Sequence, residues 1–354
     1  MKMKKRAVAG FLVIILAMSV VSAAAVDNTE KTITISFNDL AELVVAGNSD
    51  YRVYKQSMER LEIALRDMKD QHNKLLQNWT MVVDIIITLQ KGMATAEDIL
   101  GELSDDLAKV EAKLEYAAQS MYLGHYLLSA ELDIAQRKLS ALEKDYIAAE
   151  KKLQRGLISK SALDDLDKSI TNQRDIVKAA KKSIEDNLDA LAKFLDIAAP
   201  VSLEGFPELD LSRITDRDLE ADKAAYRLCA PDVAAKEKAM REAKRAYNSS
   251  NTRADRHALD AATREHRKAM DDAVRDFPKV FQDLYDKYDD YISSTYLADA
   301  RKELEKVEQR YARGLVSENL YNSVVRAVQE AEDRYKQEFI ILWLRLLEYE
   351  IKLK

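Results

Sequence analysis

Arg155-Gly156-Leu157-Ile158-Ser159 returns as Arg313-Gly314-Leu315-Val316-Ser317, at an offset of 158 residues. The apolar positions around the two copies keep that offset without a gap. Upstream, Tyr146, Ala149 and Leu153 match Leu304, Val307 and Tyr311. Downstream, Leu163, Leu166, Ile170, Val177, Ile184 and Leu188 match Tyr321, Val324, Val328, Tyr335, Leu342 and Leu346. A five-residue string recurs by chance; a shared seam over roughly 40 residues marks an internal duplication. Glycine suits the left-handed residue that ends a helix, and a serine beyond it suits the cap that starts the next one. Arg155, Gly156 and Ser159, with Arg313, Gly314 and Ser317, are thus expected to form two equivalent turns between helices. Ser161-x-x-Asp164 offers an alternative capping start in the first copy.

Composition agrees with long helices. Of 354 residues, 47% are hydrophobic and 33% charged, with only 8 Gly and 4 Pro. An all-β domain of this size would need more turn residues. From Leu114 to Leu153 apolar residues step by threes and fours, through Ala118, Met121, His125, Leu128, Leu132 and beyond, which is knobs-into-holes spacing. Gly92 and Gly101 read as interruptions before it, and Ser104-Asp105-Asp106 as a helix start. In the second repeat Asn248-Ser249-Ser250-Asn251 and Pro278 are both breakers, and Pro278 gives the better-matched arms. Arms of roughly 40–50 residues would measure about 60–75 Å.

The expected fold is all-α, two tandem long antiparallel helical hairpins with short extended segments. The expected organisation is a signal peptide over 1–25, a first repeat over 26–197, a linker over 198–218 and a second repeat over 219–354. Lys2, Lys4, Lys5 and Arg6 precede the apolar run Ala7–Val21, and Ala23-Ala24-Ala25 follows it, so export with cleavage after Ala25 is expected. Asp50, Met58 and Ala64 match Asp232, Met240 and Ala246 at an offset of 182 rather than 158, leaving the first repeat 24 residues longer. Thr32–Phe37 alternates as a short extended lead-in, and Val201–Leu211 reads the same way.

Several chemistries find no support. Losing the leader's four basic residues takes the net charge to about −10, which disfavours nucleic acid and anionic membrane surfaces. Cys229 is the only cysteine, so no intramolecular disulfide forms, and a small buried residue is its expected role. His72, His125, His257 and His266 form no metal-ligand spacing. The sequence has no GxSxG, GxGxxG or P-loop, so neither enzyme nor cofactor is expected. Trp79–Leu89 is the most β-prone internal stretch, but its apolar residues are nearly continuous, so a buried or partner-facing helix is expected.

The twin turns carry a resemblance. Leu153–Ser159 and Tyr311–Ser317, each followed by a heptad helix, resemble the repeats of the TolC-type outer-membrane efflux proteins. The opening Phe37-Asn38-Asp39-Leu40-Ala41, followed by Ala46-Gly47-Asn48, fits as well. Leu191–Asp196 departs, because Asp196 stands where members often carry glycine. The resemblance implies a homotrimer in which each subunit adds two helical hairpins to an α-barrel. It implies a passive duct for efflux or type I secretion, docked on a periplasmic adaptor and an ABC or RND pump. Members also insert a pair of amphipathic β-strands into each repeat, and neither repeat shows such a pair, so a barrel-less relative is expected. A structural coiled-coil spacer or adhesin of the cell envelope is the alternative.

Overall fold

A computed structural model of the chain describes residues 32–76 and 83–354. In chain order the elements are β1 (Ile33–Ile35), α1 (Leu40–Gly47), α2 (Ser49–Leu76), α3 (Val83–Gln154), α4 (Lys160–Phe194), β2 (Val201–Leu203), α5 (Ser212–Thr215), α6 (Leu219–Cys229), α7 (Pro231–Ser250), α8 (Arg253–Ser293), α9 (Tyr296–Ala312) and α10 (Glu318–Lys352). Of the described residues 85% are helical and 2% in strands, in line with all-α hairpins.

The long α3 organises the first repeat. Its 72 residues would run about 108 Å at 1.5 Å per residue. Along one half it packs antiparallel to α2, with the Tyr51 hydroxyl 3.2 Å from Glu111 and Lys69 2.7 Å from Glu97. Along the other half it packs antiparallel to α4, where Gln173 donates to the Ala135 carbonyl at 3.0 Å and Arg174 meets Glu143 at 2.9 Å. In the first repeat α3 is therefore flanked antiparallel by α2 and by α4, and this central arm exceeds the expected length. Gly92, Gly101 and Ser104-Asp105-Asp106 all lie inside α3 rather than at its ends. A helical glycine costs only about 1 kcal/mol against alanine. Buried Ala96 and Leu107 on either side of Gly101 hold the helix through it.

The second repeat departs in another way. Its far turn falls at Asn251, which is left-handed at φ 53°, and Thr252 caps α8 by accepting from the Asp255 amide at 3.2 Å. Pro278 sits within α8, not at a turn. The adjoining Phe277 and then Leu284 are buried against α10 and anchor the helix across the proline. The break that does occur, at Ser294–Thr295 between α8 and α9, carried no Gly or Pro signal. Of Trp79–Leu89, residues 79–82 lie outside the described residues, and 83–89 open α3 as helix.

The two extended segments meet at the waist of the molecule. β1 and β2 pair in parallel, Ile33 with Val201 and Ile35 with Leu203, tying the lead-in to the linker. They are the only strands among the described residues. Around them the core gathers Ile35, Leu40, Val44, Ala118, Tyr122, Leu191 and Leu195. Beside it Leu123 packs with Ile340, Trp343 and Leu347 of α10. Tyr122 and Leu123 lie off the heptad seam yet are almost fully buried. The seam follows one partner helix, whereas here α3 is enclosed by α1, α4, α10 and the linker.

Candidate functional site

The twin turns end the two long arms and share a backbone solution. Gly156 and Gly314 both have φ 70°. In the first turn the Gly156 amide donates to the Leu153 carbonyl at 2.8 Å and the Leu157 amide to Lys152 at 2.9 Å. In the second, Gly314 donates to Tyr311 at 2.8 Å and Leu315 to Arg310 at 2.9 Å. This nested pair of bonds is the Schellman closure, and it satisfies carbonyls a helix end would otherwise leave open. A Cβ on either glycine would meet nothing within 4 Å, so the left-handed backbone alone calls for glycine.

Ser159 and Ser317 then cap the outgoing helices. The Ser159 hydroxyl accepts from the Ala162 amide and the Ser317 hydroxyl from the Leu320 amide, each at 3.3 Å. Ser161 falls within α4, so the alternative start is not used. Arg155 and Arg313 are exposed, and neither forms an ion pair among the described residues. Beyond the glycines, Leu157 is 68% and Leu315 64% exposed, while Ile158 and Val316 turn partly inward. These two leucines were part of the quoted motif.

Both turns lie at one end of the molecule. α3 and α10 run antiparallel, so the end of α3 meets the start of α10. A groove of about 470 Å³ separates them, lined by Lys138, Lys144 and Asp145 on one side and Asn319, Asn322 and Arg326 on the other. At its inner limit Arg137 of α3 forms an ion pair with Asp333 of α10, the one acidic residue buried among the described residues. Burying a carboxylate is costly unless it is paired, and Arg137 supplies that pairing across the two hairpins. Asp333 was missed from sequence because its repeat partner, Asp175, is exposed on α4.

The remaining sequence candidates are structural in setting. His125 is half-buried and edge-on to Tyr126. Its Nδ1 is buried without a partner, and burial lowers its pKa, so it packs as a neutral ring instead of through a side-chain hydrogen bond. Cys229 closes α6 in a half-buried position, where burial pushes its thiol pKa up. Asp196 occupies the left-handed position after α4 at φ 55° and makes the same nested closure that glycine makes in the twin turns. Among the described residues no three His, Cys, Asp or Glu are grouped to hold a metal. Nor, among them, is any helix long and apolar enough to cross a membrane.

No protein-family model matches the sequence, and no curated protein matches it. Solved structures do match in fold. The outer-membrane channel OprN aligns at TM-score 0.59 and 13% identity, over 90% of this chain and 89% of its own. The Campylobacter jejuni CmeC outer membrane channel aligns at 0.57 and 11%, over 90% and 85%. The open state of the Neisseria gonorrhoeae MtrE outer membrane channel aligns at 0.53 and 14%, over 90% and 88%. The chain shares the fold of these outer-membrane channels along about nine-tenths of its length.

Proposed function

We propose that this chain is a subunit of a passive efflux or secretion conduit in the cell envelope. The observation that carries the reading is the end-to-end correspondence with outer-membrane channels, covering about nine-tenths of both partners for OprN. A local match could reflect a generic helical hairpin; a match over about nine-tenths of both chains favours a shared assembly. In this reading the leader is removed after Ala25, and the repeats 26–197 and 219–354 are joined by the linker 198–218. Three copies close a helical duct, and the twin-turn end faces a periplasmic adaptor coupled to an ABC or RND pump. Arg155, Gly156, Ser159, Arg313, Gly314 and Ser317 act as structural joints, with no covalent chemistry and no cofactor. The absence of further strands among the described residues favours a second reading as well, a spacer or adhesin built from the same rods.

Cross-linking of the exported protein in its own envelope, followed by mass measurement, separates the outcomes. A trimer that also cross-links to an adaptor is expected. A protein that stays monomeric under those conditions removes the duct reading.

A further inference from the structure

We propose that a cavity at the waist binds a small organic cation of the choline class, a quaternary ammonium that also carries an oxygen. The cavity measures about 470 Å³, the size of a small-molecule site and far more than a bare metal ion needs. Both repeats build it. Phe37 follows β1, Tyr122 comes from α3, Glu204, Phe206 and Glu208 come from the linker, and Trp343 comes from α10. Its linker wall is pinned in place. The Glu204 amide donates to the Ile35 carbonyl at 2.9 Å, and the Tyr122 hydroxyl donates to the Gly205 carbonyl at 2.7 Å. A wall fixed before binding costs little to order.

Three observations select the ligand. The first is the disposition of the rings. Phe37 meets Tyr122 edge-on at 75° and Trp343 at 81°, and Phe206 meets Trp343 at 79°. Rings set nearly at right angles wall a corner on more than one side, the arrangement by which aromatic cages hold quaternary ammonium groups. Tyr122 and Trp343 are buried, but Phe37 and Phe206 stay partly exposed, so ring surface is left for a ligand. The second observation is charge. Glu204 and Glu208 are exposed and form no ion pair among the described residues. Arg213, also in the lining, is already paired with Glu350 at 2.6 Å. Two free carboxylates beside aromatic walls attract a cation and repel an anion. The third observation is the indole of Trp343. It is 2% exposed, yet its Nε1 has no hydrogen-bond partner among the described residues. A buried indole N–H ordinarily has one. A simple alkylammonium has no lone pair to offer it; the oxygen of choline does. The proposal concerns the waist alone and stands whether or not the chain conducts.

Titration of the purified chain with choline, followed by calorimetry and by tryptophan fluorescence, tests it. Trp79 and Trp343 are the only tryptophans, so Trp79→Phe leaves the ring of the cavity as the sole indole fluorophore. Its emission should change saturably with choline, at the Kd that calorimetry gives for the unmutated chain. The neutral alcohol in which carbon replaces the choline nitrogen should bind at least about tenfold more weakly. Glu204→Gln with Glu208→Gln should weaken choline at least about fivefold at low salt and remove most of the salt dependence. Both glutamates are exposed on the linker, so this pair should melt like wild type. Phe206→Ala should weaken choline about tenfold, whereas Tyr311→Ala, at the second twin turn, should bind it like wild type. No saturable heat from the unmutated chain, a Trp343 emission that ignores choline, equal binding of the neutral alcohol, or full affinity in the glutamine pair overturns the proposal.

Discussion

The two repeats solve the same turn identically and the same arm differently. Across the first turn Arg174 of α4 meets Glu143 of α3; across the second, at the same offset, Glu332 of α10 meets Arg301 of α9. Both pairs stand at 2.9 Å, with the charges exchanged. Duplication preserved the contact and not the residues. The arms diverged further: α3 is unbroken, while its counterpart stops at Ser293 and resumes at Tyr296. Where the first turn is flanked by Leu153 and Leu163, the second stacks Tyr311 on Tyr321 with ring centroids 4.8 Å apart. Backbone geometry is the conserved quantity because few residues reach it. Side-chain contacts drift because many combinations fill the same space.

The largest way to break the comparison lies at the helix junctions. Gly47 aligns with Cys229, yet a Cβ on Gly47 would fall 2.1 Å from the Leu195 carbonyl oxygen. Gly47→Ala should cost about 3 kcal/mol or more, because backbone must move. Urea unfolding would register this as a lower midpoint, whereas Cys229→Ala should shift it little. Arg137→Ala comes next. It leaves Asp333 buried without its partner and should cost about 2 kcal/mol, the partial exposure of Arg137 moderating a buried-pair loss. Rescue by Asp333→Asn in a double-mutant cycle would locate the cost in the stranded charge.

Gly156→Ala and Gly314→Ala should each cost about 1–2 kcal/mol, and by equal amounts, since both have φ 70° and open space. A clearly unequal pair of melting shifts would mean that the turns are not energetically equivalent. Asp196→Gly should act in the opposite direction and stabilise by about 0.5–1 kcal/mol, relieving a left-handed non-glycine residue. Its weak pair with Arg52, at 3.5 Å, is largely exposed and offsets little. Smallest of all, Arg174→Glu should cost under about 1 kcal/mol, and adding Glu143→Arg should recover it, because the second repeat already carries that polarity. A swap that fails to recover would show that neighbouring charges, not the pair, set the polarity.

Local chemistry was legible residue by residue. Gly156, Gly314, Ser159 and Ser317 sit in the backbone states their types favour, and Pro231 opens α7 at its first turn. Signals needing a balance of several terms misled. Gly101 and Pro278 are breakers in isolation, but each sits in a helix whose buried faces outweigh a cost of one to a few kcal/mol. The reverse held at Ser294–Thr295, where no strong breaker stands and the helix still ends. Trp79–Leu89 read as a buried or partner-facing helix. The part of it that is described, from Val83, is helical and opens α3.

By itself the sequence determined that this is a duplicated helical chain with two matched turns, because helix periodicity and left-handed glycine are properties of short segments. Only the tertiary structure decided which segments oppose one another. That includes the parallel pairing of β1 with β2, the enclosure of Tyr122 and Leu123, and the burial of Asp333 against Arg137. These depend on contacts between residues far apart in the chain. Their free energy belongs to pairs of segments, so no single segment records it.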